Sequence, residues 1–293
     1  MFPSIENTIK IMLFADDMNL FLNKDDQLDH VQSTLNKWCK VSGARFNIEK
    51  TEIIPMGKRS HRRIVAETRR INPYDATPLP PKIRIAQDGE AVRILGAWVG
   101  NEASNQTPWE PILDTIKTKL NLWEKAHLTF NRKRVIIQAI IGGHTQFMAK
   151  AQGMPPHIED ALMNIISKFT WDHGMKPRIA MATLQRPTHE GGLNILDIKV
   201  RNEVIKIVWL RTYLNFSPAC QKWAIITDHI IQAMAPPHLV INATENPFLQ
   251  TWSAPIRGPR AKRLNEDIKR MLKMARKYKV NFAAIKMTPH LLA

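Results

Sequence analysis

Two adjacent aspartates, Asp16 and Asp17, stand where two short apolar runs meet in IKIMLFADDMNLFL, residues 9–22. Neighbouring carboxylates at a tight turn concentrate negative charge where a divalent metal and a nucleotide triphosphate can meet it. The pair alone is a weak signal, because Asp also suits turns by bonding its own backbone and caps helices. Its flanks add weight: Ile9, Ile11, Leu13 and Phe14 before it, and Met18, Leu20 and Leu22 after it, are strand-like. The pattern predicts a hairpin with its acids at the tip.

The elements around this turn can be read from periodicity. Leu28, Val31, Leu35 and Trp38 recur at helical spacing behind Asp25, Asp26 and Asp29, predicting a helix over 25–39 that ends before the turn residue Gly43. Ser42 to Ile54 then reads as a loop entering a strand. Lys58 to Arg70 is basic and poorly patterned, and Pro73 and Pro78 to Pro81 punctuate a loop. Ile83 and Ile85, then Asp88-Gly89, then AVRILGAWV at 91–99 predict a second hairpin. Asp75, Asp88 and Asp114 fall at a loop, a turn and a helix start, where local hydrogen bonding is expected.

From Thr107 the pattern turns helical. Thr107, Pro108 and Glu110 form a capping box with proline at the first helical position, ahead of Ile112, Leu113, Ile116, Leu120 and Trp123. Further helices are predicted over 132–149, 157–169, 200–213 and from Pro218 to before Pro236. Glu190-Gly191-Gly192 predicts a sharp turn into a short extended segment, 193–198. Trp109, Trp123, Trp171 and Trp209 share helical spacing with aliphatics and are expected in the core.

Composition bounds the partners. A chain of 293 residues, 44% hydrophobic, can bury a sizeable core, and 42 Lys plus Arg against 26 Asp plus Glu give a net charge of +16. A pI near 10 calls for a polyanionic partner, nucleic acid first and an anionic membrane second. No apolar run approaches the ~18 residues of a membrane span, and the first twenty residues lack a secretory layout. An intracellular protein, nuclear or cytoplasmic, is therefore expected. Cys39 and Cys220 are the only cysteines, so no disulfide partner or Cys-rich zinc site is expected. Residues 257–286 hold eleven Lys or Arg against Glu266 and Asp267, 11 − 2 = +9. With Ile268, Leu272, Ala275 and Val280 they predict a basic amphipathic helix whose Lys269, Arg270 and Lys273 either grip phosphate or form a solvated face.

Three pieces occur in order: FADD at 14–17, SGARFNIEKTE at 42–52 and ILGAWVG at 94–100. Together with TPWEPILD from Thr107 and EGGLNILDI at 190–198, they resemble the reverse transcriptases of non-LTR retrotransposons, especially those of fungal elements. The resemblance implies an α+β chain: a truncated palm of two β-hairpins and a helix over 1–106, a mostly helical thumb-like domain over 107–236, and a linker with a basic helix over 237–293. It implies RNA-directed DNA polymerisation on an RNA/DNA primer–template from nucleotide triphosphates. Asp16 and Asp17 would hold Mg2+, Lys50 would protonate pyrophosphate, and Leu95-Gly96 would support the primer end. On the residues alone, Lys50 is equally a surface lysine beside Glu49 and Glu52. Arg132, Lys133 and Arg134, opening a thumb-like helix, would contact the duplex backbone, or merely keep that face soluble.

In this family the fingers and the first half of the palm, with another catalytic aspartate, lie upstream of FADD, and fifteen residues cannot contain them. The expectation is an incomplete metal set, a fragment inactive alone, a loose first hundred residues and a steadier helical half. The alternatives are a non-catalytic basic nucleic-acid-binding module and a helical interaction scaffold that uses its charge only for solubility.

Overall fold

The computed structural model describes residues 11–23, 26–75, 77–104, 108–171, 176–215, 217, 220–235 and 254–280. The chain is mixed α+β and divides into two compact units, 1–108 and 109–293. Among the described residues no helix is long and apolar enough to cross a membrane.

In the first unit, β1 (Ile11–Phe14) and β2 (Asp17–Leu20) form an antiparallel hairpin, followed by α1 (Leu28–Ser42). The helix stops at Gly43, whose φ of +72° suits glycine and lets its N–H cap the Cys39 carbonyl at 2.9 Å. Beyond it, β3 (Glu52–Ile53) pairs in parallel with β4 (Arg84–Ile85). The expected second hairpin lies elsewhere. It is not closed by Asp88-Gly89; it forms within 91–99, where β5 (Val92–Ile94) and β6 (Ala97–Val99) pair across Leu95-Gly96. The Ile83–Ile85 run is drawn instead to the strand that follows Lys50.

The basic stretch 58–70, unpatterned in sequence, is α2 (Arg59–Thr68). It turns Arg62 and Val65 inward, and Val65 is buried. The Arg62 guanidinium forks onto Asp88 at 2.7 and 2.8 Å, reaches Glu102 at 3.0 Å and donates to the Gly57 carbonyl at 2.6 Å. Arg69, past the end of α2, donates to the carbonyls of Leu79, Pro80 and Ile83, gathering the proline-rich loop. Asp75 has the expected local role, accepting from the Asn72 N–H. Asp88 does not: its partner lies 26 residues away. The buried apolar side chains described in this unit are Pro55, Val65, Leu79, Ile85, Ala86, Val92 and Pro108, and no described side chain of β1, β2 or α1 is buried.

The second unit has two cores. The first gathers α3 (Trp109–Glu124), α4 (Phe130–Ile137), α5 (Gly143–Gln152) and α6 (Pro156–Thr170) with Leu184 of α7 (Met181–Gln185) and Ile195. Ile116, Ile137, Ile141, Leu162 and Ile166 are fully buried there, each contributing roughly 1.5–3 kcal/mol of transfer free energy. The Thr107 cap lies outside the described residues. Between α4 and α5 the backbone widens into a π turn, Gln138–Gly142. The buried positions Ile137, Ile141, Thr145 and Ala149 explain it: an i, i+4 repeat drifts about 40° per step around an α-helix, and the extra residue of a wide turn takes most of that drift back.

Gly191, at φ +80°, makes the expected sharp turn, and 193–197 run on without helix into α8 (Ile198–Tyr213), capped by the Asp197 carboxylate. The second core joins the end of α8 to α9 (Lys222–Gln232) and α10 (Glu266–Lys277). Asn265 caps α10 at the Ile268 N–H, its first turn carries Glu266 and Asp267 and its last Arg276 and Lys277, as the helix dipole favours. Ile268, Met271, Leu272 and Ala275 pack inward, so this basic helix is part of the helical unit. Residues 281–286 of the predicted basic stretch lie outside the described residues. Of the four tryptophans expected in the core, Trp109 and Trp171 are buried, whereas Trp123 and Trp209 are 45% and 38% exposed.

Candidate functional site

The hairpin register is Ile11↔Leu20, Leu13↔Met18 and Phe14↔Asp17, which leaves Ala15 and Asp16 as a two-residue turn. Asp16 is at the tip and Asp17 opens β2, both exposed. Ala15 takes φ +51°, a left-handed conformation that costs a residue with a Cβ about 1–3 kcal/mol. The flanking side chains do not compensate by burial: Leu13 is 61% and Phe14 67% exposed. The turn thus presents two hard anionic oxygen donors on a strained backbone, with an uncovered apolar strand behind them.

Lys50 closes a short 3-10 turn, Ile48–Lys50, held by the Asn47 side chain, which accepts from the Glu49 and Lys50 N–H groups at 3.0 and 3.3 Å. Its side chain is exposed. Leu95 and Gly96 form the tip of β5–β6 with φ of +48° and +85°, positive at both central positions as a type I′ turn requires. The two hairpins belong to separate two-stranded sheets, so among the described residues no strand pairing carries the acid turn to the Leu95-Gly96 turn. Among the described residues no group of three or more His, Cys, Asp or Glu side chains could hold a metal.

The three cations that open α4 diverge. Arg132 faces solvent, as expected. Lys133 does not: it is 4% exposed, its ammonium donates to the Thr170 carbonyl at 3.0 Å and lies 6.0 Å from the Phe130 ring centroid. Its charge ties the start of α4 to the end of α6, which removes it from the set available to phosphate. Arg134 is half-buried, with its Nε enclosed.

On α10, too, only part of the predicted set faces outward. Lys273 is exposed. Lys269 bonds Glu266 at 2.7 Å, and Arg270 turns back to donate to the Gln152 carbonyl at 2.9 Å while pairing with Asp267 at 3.1 Å. Arg270 therefore anchors α10 to the end of α5. Beside it runs a polar network with no sequence signature. Arg201 donates to Thr145 at 2.7 Å and to Asn202, and Asn202 donates to Glu159 at 2.8 Å. Burial lowers the pKa of Arg201, and that of Lys206 too, which stands 4.0 Å from Glu159 with Arg270 and Lys273 adding repulsion.

No family model and no curated protein matches the chain.

Proposed function

We propose that this chain carries the end of the palm and the thumb-like helical region of an RNA-directed DNA polymerase similar to those of non-LTR retrotransposons. The observation that supports the reading is the two-residue turn that exposes Asp16 at its tip and starts the return strand with Asp17. The donor chemistry suits magnesium, and in such a polymerase the metal would activate a primer 3′-hydroxyl and stabilise the departing pyrophosphate. Two carboxylates are a partial set for a two-metal centre, so Asp16 and Asp17 are assigned a share of the ligands and no polymerisation is expected from the described residues alone. Lys50, on its capped turn, is the proposed proton donor to pyrophosphate. The exposed cations Arg132 and Lys273 are the proposed contacts to the phosphates of a primer–template.

A primer-extension assay of the full chain on a homopolymer template with magnesium, beside a binding titration on the same primer–template, tests this. Binding should fall steeply with salt, and incorporation should be absent. Incorporation abolished by Asp16→Asn would show a working centre and refute the expected inactivity. No binding at low salt would remove nucleic acid altogether. Binding unaltered by Asp16→Asn and weakened by Lys273→Glu is what a non-catalytic nucleic-acid-binding module gives. The net charge of +16 is what favours that as the second reading.

A further inference from the structure

A cleft of about 660 Å³ opens in the first unit, lined in part by Arg45, Phe46, Ile48, Glu49, Pro80 and Lys82. It is wide open to solvent, a surface groove and not an enclosed pocket. Two of its walls are apolar. Phe46 is 39% and Ile48 47% exposed. Trp38 of α1 stacks on Phe46, ring centroids 5.6 Å apart and planes inclined by 28°, so one face of the ring is propped and the remainder is left open. The opposite wall is braced as well, since the Pro80 carbonyl accepts from Arg69 at 2.7 Å.

Cations stand at the rim. Lys82 pairs with Glu49 at 2.7 Å, but both side chains are about 70% exposed, 71% and 69%. An ion pair so exposed is held weakly and gives way to a doubly anionic competitor. Arg45 is exposed beside the ring, and Lys50 follows on the same segment. An aromatic ring propped from one side, edged by Arg45 and by a Lys82 held only in an exposed ion pair, is the chemistry that holds an unstacked nucleobase together with its phosphates. The Asn47 side-chain amide oxygen in the lining already accepts from the Glu49 and Lys50 N–H groups, which leaves it no free lone-pair role toward a base edge beyond those two bonds.

We propose that this cleft binds unpaired nucleotides of a single-stranded nucleic acid, one base stacked on Phe46 and its phosphates against Lys82 and Arg45, with little preference among bases. This rests on the nucleic-acid reading above and adds to it a site for single strand, separate from any duplex contact on the helices.

Fluorescence anisotropy of the full chain with a labelled oligothymidylate, with the same backbone carrying abasic sites, and with a blunt primer–template duplex tests it. The wild-type chain should favour the thymidylate over the abasic strand by roughly ten-fold, the effect of one stacked base. Phe46→Ala should erase that preference and leave duplex binding unchanged, and Phe46→Trp should retain it. Lys82→Ala should weaken both single strands and lower the salt slope by about one. If Phe46→Ala loses its circular dichroism spectrum, Phe46→Leu, which keeps bulk against Trp38 without the π face, gives the same readout. A base preference that survives loss of the ring overturns this inference and leaves the functional reading standing if duplex binding persists. No binding to any of the three overturns both.

Discussion

Replacing Gly153 by alanine probes the contact that turns Arg270 inward. Gly153 ends α5 with φ 69° and ψ 169°, a region that residues with a Cβ essentially avoid, at a cost of about 1–3 kcal/mol. A Cβ built there overlaps the Arg270 guanidinium and comes within 2.8 Å of its central carbon. The flexible guanidinium can move away only by giving up the Gln152 carbonyl. A hydrogen bond to a charged group is worth about 1.5–3 kcal/mol, taken here as about 1 because the Arg270 side chain keeps 22% of its exposure. The expected loss is about 2–4 kcal/mol. In an Arg270→Met background the steric part disappears and only the backbone strain remains, so the cost of Gly153→Ala should fall by about 1 kcal/mol. Urea unfolding of the four chains, followed by tryptophan fluorescence and compared at constant slope, measures both numbers. A single-variant cost under 0.5 kcal/mol, or the same cost in both backgrounds, would refute the reasoning and return Arg270 to the solvent-facing set.

The remaining predictions concern each unit in turn. Hydrogen bonds from Arg62 hold the Asp88 carboxyl below its ordinary 3.8, with the Arg62 and Arg59 charges adding to the effect. The stabilisation is therefore present above that value and lost as pH falls through the lower folded-state pKa. Asp88→Asn should lower the Tm of the first unit at pH 7, and the gap from wild type should close on acidification; a gap that widens in acid contradicts the pairing. Leu162, fully buried on α6, should cost about 3–5 kcal/mol when cut to alanine, roughly 6–20 °C in a calorimetric Tm. A loss below 1 kcal/mol would place it outside the core.

Periodicity located α1, α3 and α6 to within a few residues, because in each a row of aliphatics repeats at helical spacing, and Pro218 and Pro236 bracketed α9. The helix expected over 200–213 is α8, in which Val200, Val204 and Val208 face outward while Asn202 is 2% exposed, since the polar side chain has Glu159 and Arg201 to satisfy it. In α2 the inward positions include arginine, and arginine counts as surface until its partner is known; Asp88 and Glu102 lie too far along the chain to be paired by eye. A short apolar run cannot declare which strand it will join. That is why Ile85 went to Ile53 and not across Asp88-Gly89. At the candidate site, the residues put the second turn at Asp88-Gly89, whereas the chain closes it at Leu95-Gly96; the acid turn was legible because a tight hairpin is local. The inward-turned Lys133 and Arg270 and the Phe46 cleft were not, being settled by neighbours from other elements.

The π turn between α4 and α5 has a consequence for how the helical unit tolerates changes in chain length. In a regular helix such as α6, losing one residue swings everything beyond it by about 100° and exchanges buried for exposed faces. Gln138–Gly142 already holds one residue more than an α turn requires. Removing one there would tighten the coil to ordinary geometry while Thr145 and Ala149 kept nearly their present azimuth. This short stretch is a slack joint, the place along α4 and α5 where the loss of one residue can be absorbed without re-aiming the side chains that follow.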